Sequence, residues 1–158
     1  MSLIKMKHPA LRMEDAQKRD VRTQFGALCF RVQDGETQVL LVTSRKTRRW
    51  IIPKGWPMEG QSPAQAAAIE AFEEAGVEGK AYNICLGLYS YTKIMDKSND
   101  LPCAVSVFPL KVQKTHKVWP ESKERTRKWF SIKKAAARVR EPELRKIIKN
   151  FDAALLKG

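Results

Sequence analysis

Long apolar runs alternate with short polar segments in the first third of the chain. Residues 25–32 (FGALCFRV) and 38–44 (QVLLVTS) are mostly apolar, and Asp34-Gly35-Glu36 between them is typical of a tight turn. We therefore predict a hairpin of two largely buried strands. A third, short strand is predicted over residues 50–53, where a proline ends it, and the Gly- and Pro-containing residues 54–61 are predicted to form a loop.

The next segment predicts a helix from its two ends. Ser62 is a favourable N-cap, Pro63 suits the first helical position, and Gln65 completes a capping box. Gly76 is predicted to end the helix, because glycine readily adopts the left-handed conformation of a C-terminal cap. Five alanines fall on one stripe of this helix, which suits close packing against a sheet: Ala64, Ala67, Ala68, Ala71 and Ala75.

The rest of the chain predicts further strands and two helices. Residues 80–95 and 103–113 are rich in β-formers and are predicted to be strands, with residues 96–102 as a turn, and Trp129-Phe130 belongs to another short strand. Ser131 is expected to cap a short helix. Pro142 is predicted to open a last amphipathic helix, in which apolar residues recur at helical spacing as far as Leu155.

Length and composition indicate one globular domain. The chain has 158 residues, of which 43% are hydrophobic and 30% charged. We expect residues 1–20 to form an irregular arm and residues 21–158 to form the domain. No apolar run is long enough to span a membrane and the N-terminus lacks the apolar core of a signal peptide, so we expect a cytoplasmic protein. The cysteines, Cys29, Cys85 and Cys103, are odd in number and lack metal-ligand spacing, which favours reduced thiols over disulfides or zinc.

Charge is unevenly distributed along the chain. Thirty Lys and Arg against 17 Asp and Glu give a formal net charge of +13, which suggests a polyanionic partner or serves solubility alone. Residues 55–78 are the exception, since they contain acids but no Lys or Arg. Within them, Glu70, Glu73 and Glu74 stand at i, i+3 and i+4 of the predicted helix, where like charges repel. These carboxylates either bind a hard cation such as Mg²⁺ or Mn²⁺ or form a solvated acidic face.

The segment GWPMEGQSPAQAAAIEAFEEAGV closely resembles the Nudix box, G-x₅-E-x₇-R-E-U-x-E-E-x-G-U, in which U is aliphatic. Six positions match directly, and Ala71 stands at an aliphatic one: Gly55, Glu70, Glu73, Glu74, Gly76 and Val77. Two positions depart from the pattern, because Gln61 replaces the usual Glu and Ile69 the usual Arg. The resemblance implies the Nudix α/β/α sandwich, with a mixed curved sheet between helices.

The resemblance also implies site residues and a cofactor. Mg²⁺ or Mn²⁺ would be held by Glu70, Glu73, Glu74 and the backbone carbonyl of Lys54, with Glu70 or a Glu outside the box taking a proton. Glu121 and Glu124 are candidates for that additional carboxylate, against the alternative of plain surface charge.

Beyond the box, the sequence looks most like the diphosphoinositol polyphosphate phosphohydrolases, which also act on diadenosine polyphosphates. This implies a polyanionic small-molecule substrate bound by a basic loop that contains Arg45, Lys46, Arg48 and Arg49. The alternative is that these side chains are only solvated. Gly55 and Trp56 are expected to contact substrate. Trp50 is expected to support the loop from the core, with stacking on an adenine as the alternative. The implied activity is metal-dependent hydrolysis of a phosphoanhydride. The alternatives are removal of pyrophosphate from RNA 5′ ends and a non-catalytic ligand sensor.

Overall fold

A computed structural model describes residues 21–95 and 100–156 of the chain. The predicted N-terminal arm lies outside the described residues, as does most of the predicted turn before residue 103, and the predicted domain boundary at residue 21 remains a prediction. The described part contains eight strands and three α-helices. In chain order they are β1 Arg22–Gln33, β2 Glu36–Thr43, β3 Trp50–Ile51, β4 Lys54–Gly55, α1 Pro63–Ala75, β5 Val77–Ala81, β6 Gly87–Lys93, β7 Leu101–Thr115, β8 Arg127–Ser131, α2 Ile132–Arg138 and α3 Pro142–Lys149, followed by a 3₁₀ turn at Ala153–Leu155.

The strands form one mixed sheet. Its main path runs β3-β2-β1-β7-β5, while β4 pairs with β1, β6 with β7 and β8 with β2. The long strands β1 and β7 are parallel, with Phe25 opposite Ser106, and the other pairs are antiparallel. The predicted hairpin is confirmed: Asp34 and Gly35 both have positive φ, as a two-residue turn between twisted strands requires.

Both faces of the sheet are covered by helices. Ala27 and Cys29 of β1 pack in the cluster that contains the alanine stripe of α1, whereas Leu28 packs in the cluster that contains α2 and α3. Successive side chains of a strand point to opposite faces, so β1 contributes to both cores and reads as an uninterrupted apolar run. The predicted α/β fold with a mixed sheet between helices is confirmed.

The predicted elements need four corrections. Residues 54–61 are not all loop, because Lys54 and Gly55 pair with Gly26 and Phe25 of β1. The strand predicted over 80–95 is two strands, β5 and β6, with an irregular segment between them. The strand predicted over 103–113 extends further at both ends, as β7. The last helix ends at Lys149 instead of reaching Leu155, since Asn150 leaves the helix and Asp152 caps a separate 3₁₀ turn.

Cys29, Cys85 and Cys103 are all free thiols. Among the described residues, none of the helices is long and apolar enough to cross a lipid bilayer.

Candidate active site

Two of the three acidic residues of helix α1 line a cavity, and the third does not. Its N-terminus is fixed as predicted, with Ser62 and Gln65 forming the capping box and Gly76 adopting φ +66° at the C-terminal cap. Because the alanine stripe faces the sheet, Glu70 and Glu74, one turn apart, are directed into a cavity beside it. The side chain of Glu73 is exposed and does not line that cavity, so its role as a metal ligand stays a prediction.

Strand β4 passes close to this acidic pair. A side chain at Gly55 would overlap the Glu70 carboxyl group, so only glycine lets the backbone and this carboxyl lie together. The Lys54 backbone N–H points at Oε1 of Glu74 from 3.4 Å. Pairing of β4 with β1 therefore fixes the backbone against which both carboxyl groups rest.

The loop between β7 and β8 closes over the end of α1 and brings in a third carboxylate. The Trp119 indole donates to the Glu74 carbonyl (3.0 Å), and the Glu121 N–H donates to the Glu73 carbonyl (3.1 Å). Arg127, the first residue of β8, donates to the Ala75 carbonyl (2.8 Å), so the last carbonyls of the helix find donors in this loop and at the start of β8. As a consequence Glu121 lines the cavity, while Glu124 does not.

Arg125 supplies the cation that the sequence segment lacks. Its Nε donates to Oε1 of Glu121 (2.8 Å), and its Nη2 lies 3.8 Å from Oε1 of Glu74. Sequence reasoning missed this residue. The repulsion among the acids indicates that a cation is needed, but thirty Lys and Arg are available and the fold alone selects one.

Burial makes ionisation of the Glu70 and Glu74 carboxyl groups less favourable. Burial raises the pKa of Glu74 to about 8, although Arg125 and Lys54 oppose the shift, and burial also raises the pKa of Glu70. The negative charge of Glu70 adds to the shift, so Glu74 favours its protonated form at neutral pH. A divalent cation could take the place of that proton.

The donor set fits Mg²⁺ or Mn²⁺, since carboxylate oxygens of Glu70, Glu74 and Glu121 face one cavity and both cations prefer oxygen ligands. In the part of the chain that the structure describes, no three acidic, histidine or cysteine side chains already stand at ligating distances. Binding would therefore draw these carboxylates together.

Some side chains of the basic loop line the cavity, and one contacts the loop before β8. Ser44 and Arg49 close it through a backbone hydrogen bond of 2.8 Å. Arg45, Lys46 and Arg49 line the cavity. Arg48 instead has φ +54° and donates to the Glu124 carbonyl (3.0 Å), so it ties the two loops together.

Two of the cavity-lining arginines in this loop already have acidic partners. Arg45 lies 3.9 Å from Glu121 and 3.6 Å from Glu124. Arg49 is paired with buried Glu141 at 2.9 Å. A substrate phosphate would therefore meet cations that carboxylates already hold in position.

The cavity lining also combines aromatic rings with lysines. The Lys54 ammonium lies 4.6 Å from the centre of the Tyr91 ring, and the Lys93 ammonium lies 5.1 Å from that of Trp56. Trp56 lines the cavity as expected, and it is 39% exposed. The whole cavity measures about 780 Å³.

Several residues that line the cavity were not predicted from the sequence. Gln24, Tyr91 and Arg140 line it although no pattern marks them, because they come from β1, β6 and the α2–α3 connection. Trp50 packs edge-to-face on Phe130, with ring centroids 5.1 Å apart, in the supporting role expected for it. Of the two box departures, Gln61 is exposed in the loop before α1 and Ile69 is half-buried.

The chain and its fold are those of a known family. A family model described as the NUDIX domain matches residues 22–151, and the chain belongs to that family. The chain is 34% identical over 116 residues to mouse diphosphoinositol polyphosphate phosphohydrolase 3-alpha, covering 72% of this chain and 66% of that protein. It is 34% identical over 119 residues to Nudix hydrolase 21, chloroplastic, of Arabidopsis thaliana, covering 74% of this chain and 58% of that protein.

The relatives extend beyond the matched region, since the chain spans 58–61% of the length of four Arabidopsis relatives. Solved structures support the fold: a C. elegans Ap4A hydrolase has a TM-score of 0.58 at 21% identity, covering 86% of this chain and 99% of that one. A NUDIX hydrolase from Nitrosomonas europaea has a TM-score of 0.62 at 21% identity, covering 87% and 96%. Some relatives are named as mitochondrial or chloroplastic, so the expected cytoplasmic location of this chain remains a prediction.

Proposed function

We propose that the chain hydrolyses a phosphoanhydride bond in a highly phosphorylated small molecule, with Mg²⁺ or Mn²⁺ as cofactor. The observation that carries the proposal is one cavity that is lined both by three carboxylates and by three cations of the basic loop. A phosphoanhydride needs both, because its oxygens carry negative charge that grows at the leaving group. The names of the relatives point to diphosphoinositol polyphosphates or dinucleoside polyphosphates as the substrate class.

In this proposal, different residues of the cavity bind the cation and the phosphate chain. Glu70, Glu74 and Glu121 would hold the cation, which when bound supplies positive charge against phosphate oxygens and activates water. Arg45, Lys46 and Arg49 bind the phosphate chain, and arginines can do so with two parallel hydrogen bonds.

Proton transfer and substrate orientation fall to other side chains. Glu70 or Glu121 accepts the proton of the attacking water, since both are carboxylates in the cavity. Trp56 and Tyr91 provide flat surfaces for the non-phosphate part of the substrate.

The test is hydrolysis of diadenosine tetraphosphate and of a diphosphoinositol polyphosphate, with Mg²⁺, with Mn²⁺ and with excess EDTA. We expect activity with metal and none with EDTA. Glu74→Gln should abolish most of the activity while the protein stays folded. Glu59→Gln is the matched control, because Glu59 is an exposed acid of the same segment that does not line the cavity. Hydrolysis undiminished in EDTA would refute the metal-dependent mechanism.

A further inference from the structure

Three segments that are far apart in the sequence meet at one buried guanidinium group, that of Arg125. Its side chain is only 8% exposed. Nη1 donates to the Thr43 carbonyl (3.1 Å), Nε donates to Glu121 (2.8 Å), and Nη2 faces Glu74 at 3.8 Å. Each nitrogen of the group is thus directed at a different segment: the end of β2, the loop before β8 and helix α1.

The backbone around Arg125 is held independently of this side chain. The next residue, Thr126, exchanges hydrogen bonds with Thr43: its N–H donates to Oγ1 and its carbonyl accepts from the Thr43 N–H, both at 2.9 Å. The base of the side chain is therefore fixed to β2. From there the planar guanidinium reaches both carboxylates at once, which a single ammonium cannot do with the same geometry.

We infer that Arg125 is a positioning residue, which holds the carboxyl groups of Glu74 and Glu121 in the arrangement that binds one divalent cation. The inference rests on the proposed function, and it assigns a role to a residue outside the Nudix box. Arg125 acts through the two carboxylates: Glu74 belongs to a helix and Glu121 to a loop, and no other described ion pair joins these two elements at the cavity.

If Arg125 acted only through its positive charge, its effect on metal binding would be the opposite of the effect inferred here. A cation beside a metal site repels the metal, so an Arg125 that served only as a positive charge would weaken binding. An Arg125 that orients ligands strengthens it, since residues that orient metal ligands typically contribute 10–100-fold in affinity. Exchanging Arg125 for lysine keeps the positive charge and removes the planar guanidinium with its several N–H donors. The substitution therefore separates the effect of ligand orientation from the effect of charge.

The experiment is Mn²⁺ titration of the full chain followed by electron paramagnetic resonance, with circular dichroism as a check of folding. We expect Arg125→Lys to bind Mn²⁺ about 10–100-fold more weakly than the wild type. The matched control is Arg127→Lys, two residues further along at the start of β8, whose guanidinium contacts backbone carbonyls and no carboxylate. This control should lower the melting temperature and leave Mn²⁺ affinity unchanged.

A double-mutant cycle shows whether Arg125 acts through its carboxylate partner. If it acts through Glu121 as well as Glu74, Arg125→Lys should cost less affinity in a Glu121→Gln background than in the wild type, because only the effect through Glu74 remains. Fully additive losses, or Mn²⁺ affinity in Arg125→Lys equal to that of the wild type, would overturn the inference and leave the proposed function intact. A wild-type chain that binds no Mn²⁺ would overturn the proposed function, and this inference with it.

Discussion

At the scale of single residues, the burial of Glu74 determines how this protein responds to pH. The pKa of Glu74 is raised to about 8 by burial, well above the value of 4.5 for an unperturbed group. The folded state therefore binds this proton more tightly than the unfolded state does. The resulting stability is fully present below pH 4.5 and is lost as pH rises through about 8.

This linkage gives a first prediction for the metal-free protein. In EDTA, the free energy of unfolding of the wild type should fall between pH 5 and pH 8, and Glu74→Gln should flatten that decline because it removes the titrating group. Urea denaturation at several pH values measures both slopes. Added Mg²⁺ should restore stability to the wild type at pH 8 and not to the variant. Parallel slopes for the two proteins would show that Glu74 does not carry the linkage.

Gly55 provides a second prediction at this scale. Its Cβ would overlap the carboxyl end of Glu70, a flexible side chain, and would leave the β4 pairing to β1 in place. Gly55→Ala should therefore fold and lose turnover, because the Glu70 carboxyl is displaced. Steady-state kinetics check the loss. In a Glu70→Gln background the same substitution should have little further effect; an equally large loss there would mean that Gly55 acts on something other than Glu70.

At the scale of elements, helix α1 depends on donors from another part of the chain. It has no basic residue in its last turn, although the last two turns carry Glu70, Glu73 and Glu74, so its own side chains do not compensate the C-terminal end of the helix dipole. The Trp119 indole in the loop before β8 and the Arg127 guanidinium at the start of β8 compensate instead.

Trp119→Phe isolates one of these donors, and it is the third prediction. The substitution keeps an aromatic ring against the helix and removes the N–H that caps the Glu74 carbonyl. We expect a loss of about 0.5–1.5 kcal/mol in the free energy of unfolding, the usual net contribution of one hydrogen bond. Ser62→Ala at the other end of α1 should cost about 1 kcal/mol through the N-cap. If Trp119→Phe left stability unchanged, the indole would not act as a cap.

The same helix shows what the sequence can and cannot predict. Its ends follow from local chemistry, since Ser62, Gln65 and Gly76 act on backbone groups within a few residues, and both ends agree with the structure. Strand β4 could not be found in this way, because Lys54 and Gly55 become a strand only by pairing with β1. Arg125 and Arg140 were missed for the same reason: the sheet and the loops bring them to the cavity across long stretches of sequence.

At the scale of the whole molecule, the cavity brings together cations from segments far apart in the sequence. Arg45 belongs to the loop after β2, and Arg140 to the connection between α2 and α3, yet both line the same 780 Å³ space. Acids inside that space would repel a polyanion. The two arginines, with Lys46 and Arg49, offset this repulsion and give a long phosphate chain several places to bind.

The last prediction follows from that arrangement. If the proposed polyphosphate substrate extends along the cavity, it contacts both Arg45 and Arg140, whereas a nucleoside diphosphate derivative has fewer phosphates with which to do so. Each charge-assisted hydrogen bond is worth about 1.5–3 kcal/mol, so Arg45→Ala/Arg140→Ala should lower kcat/KM for diadenosine tetraphosphate roughly a hundredfold or more. For the short substrate the loss should be much smaller. Arg138→Ala is the control at one salt concentration, since Arg138 is exposed and does not line the cavity. Equal losses for long and short substrates would mean that these arginines attract anions in general and do not select polyphosphates.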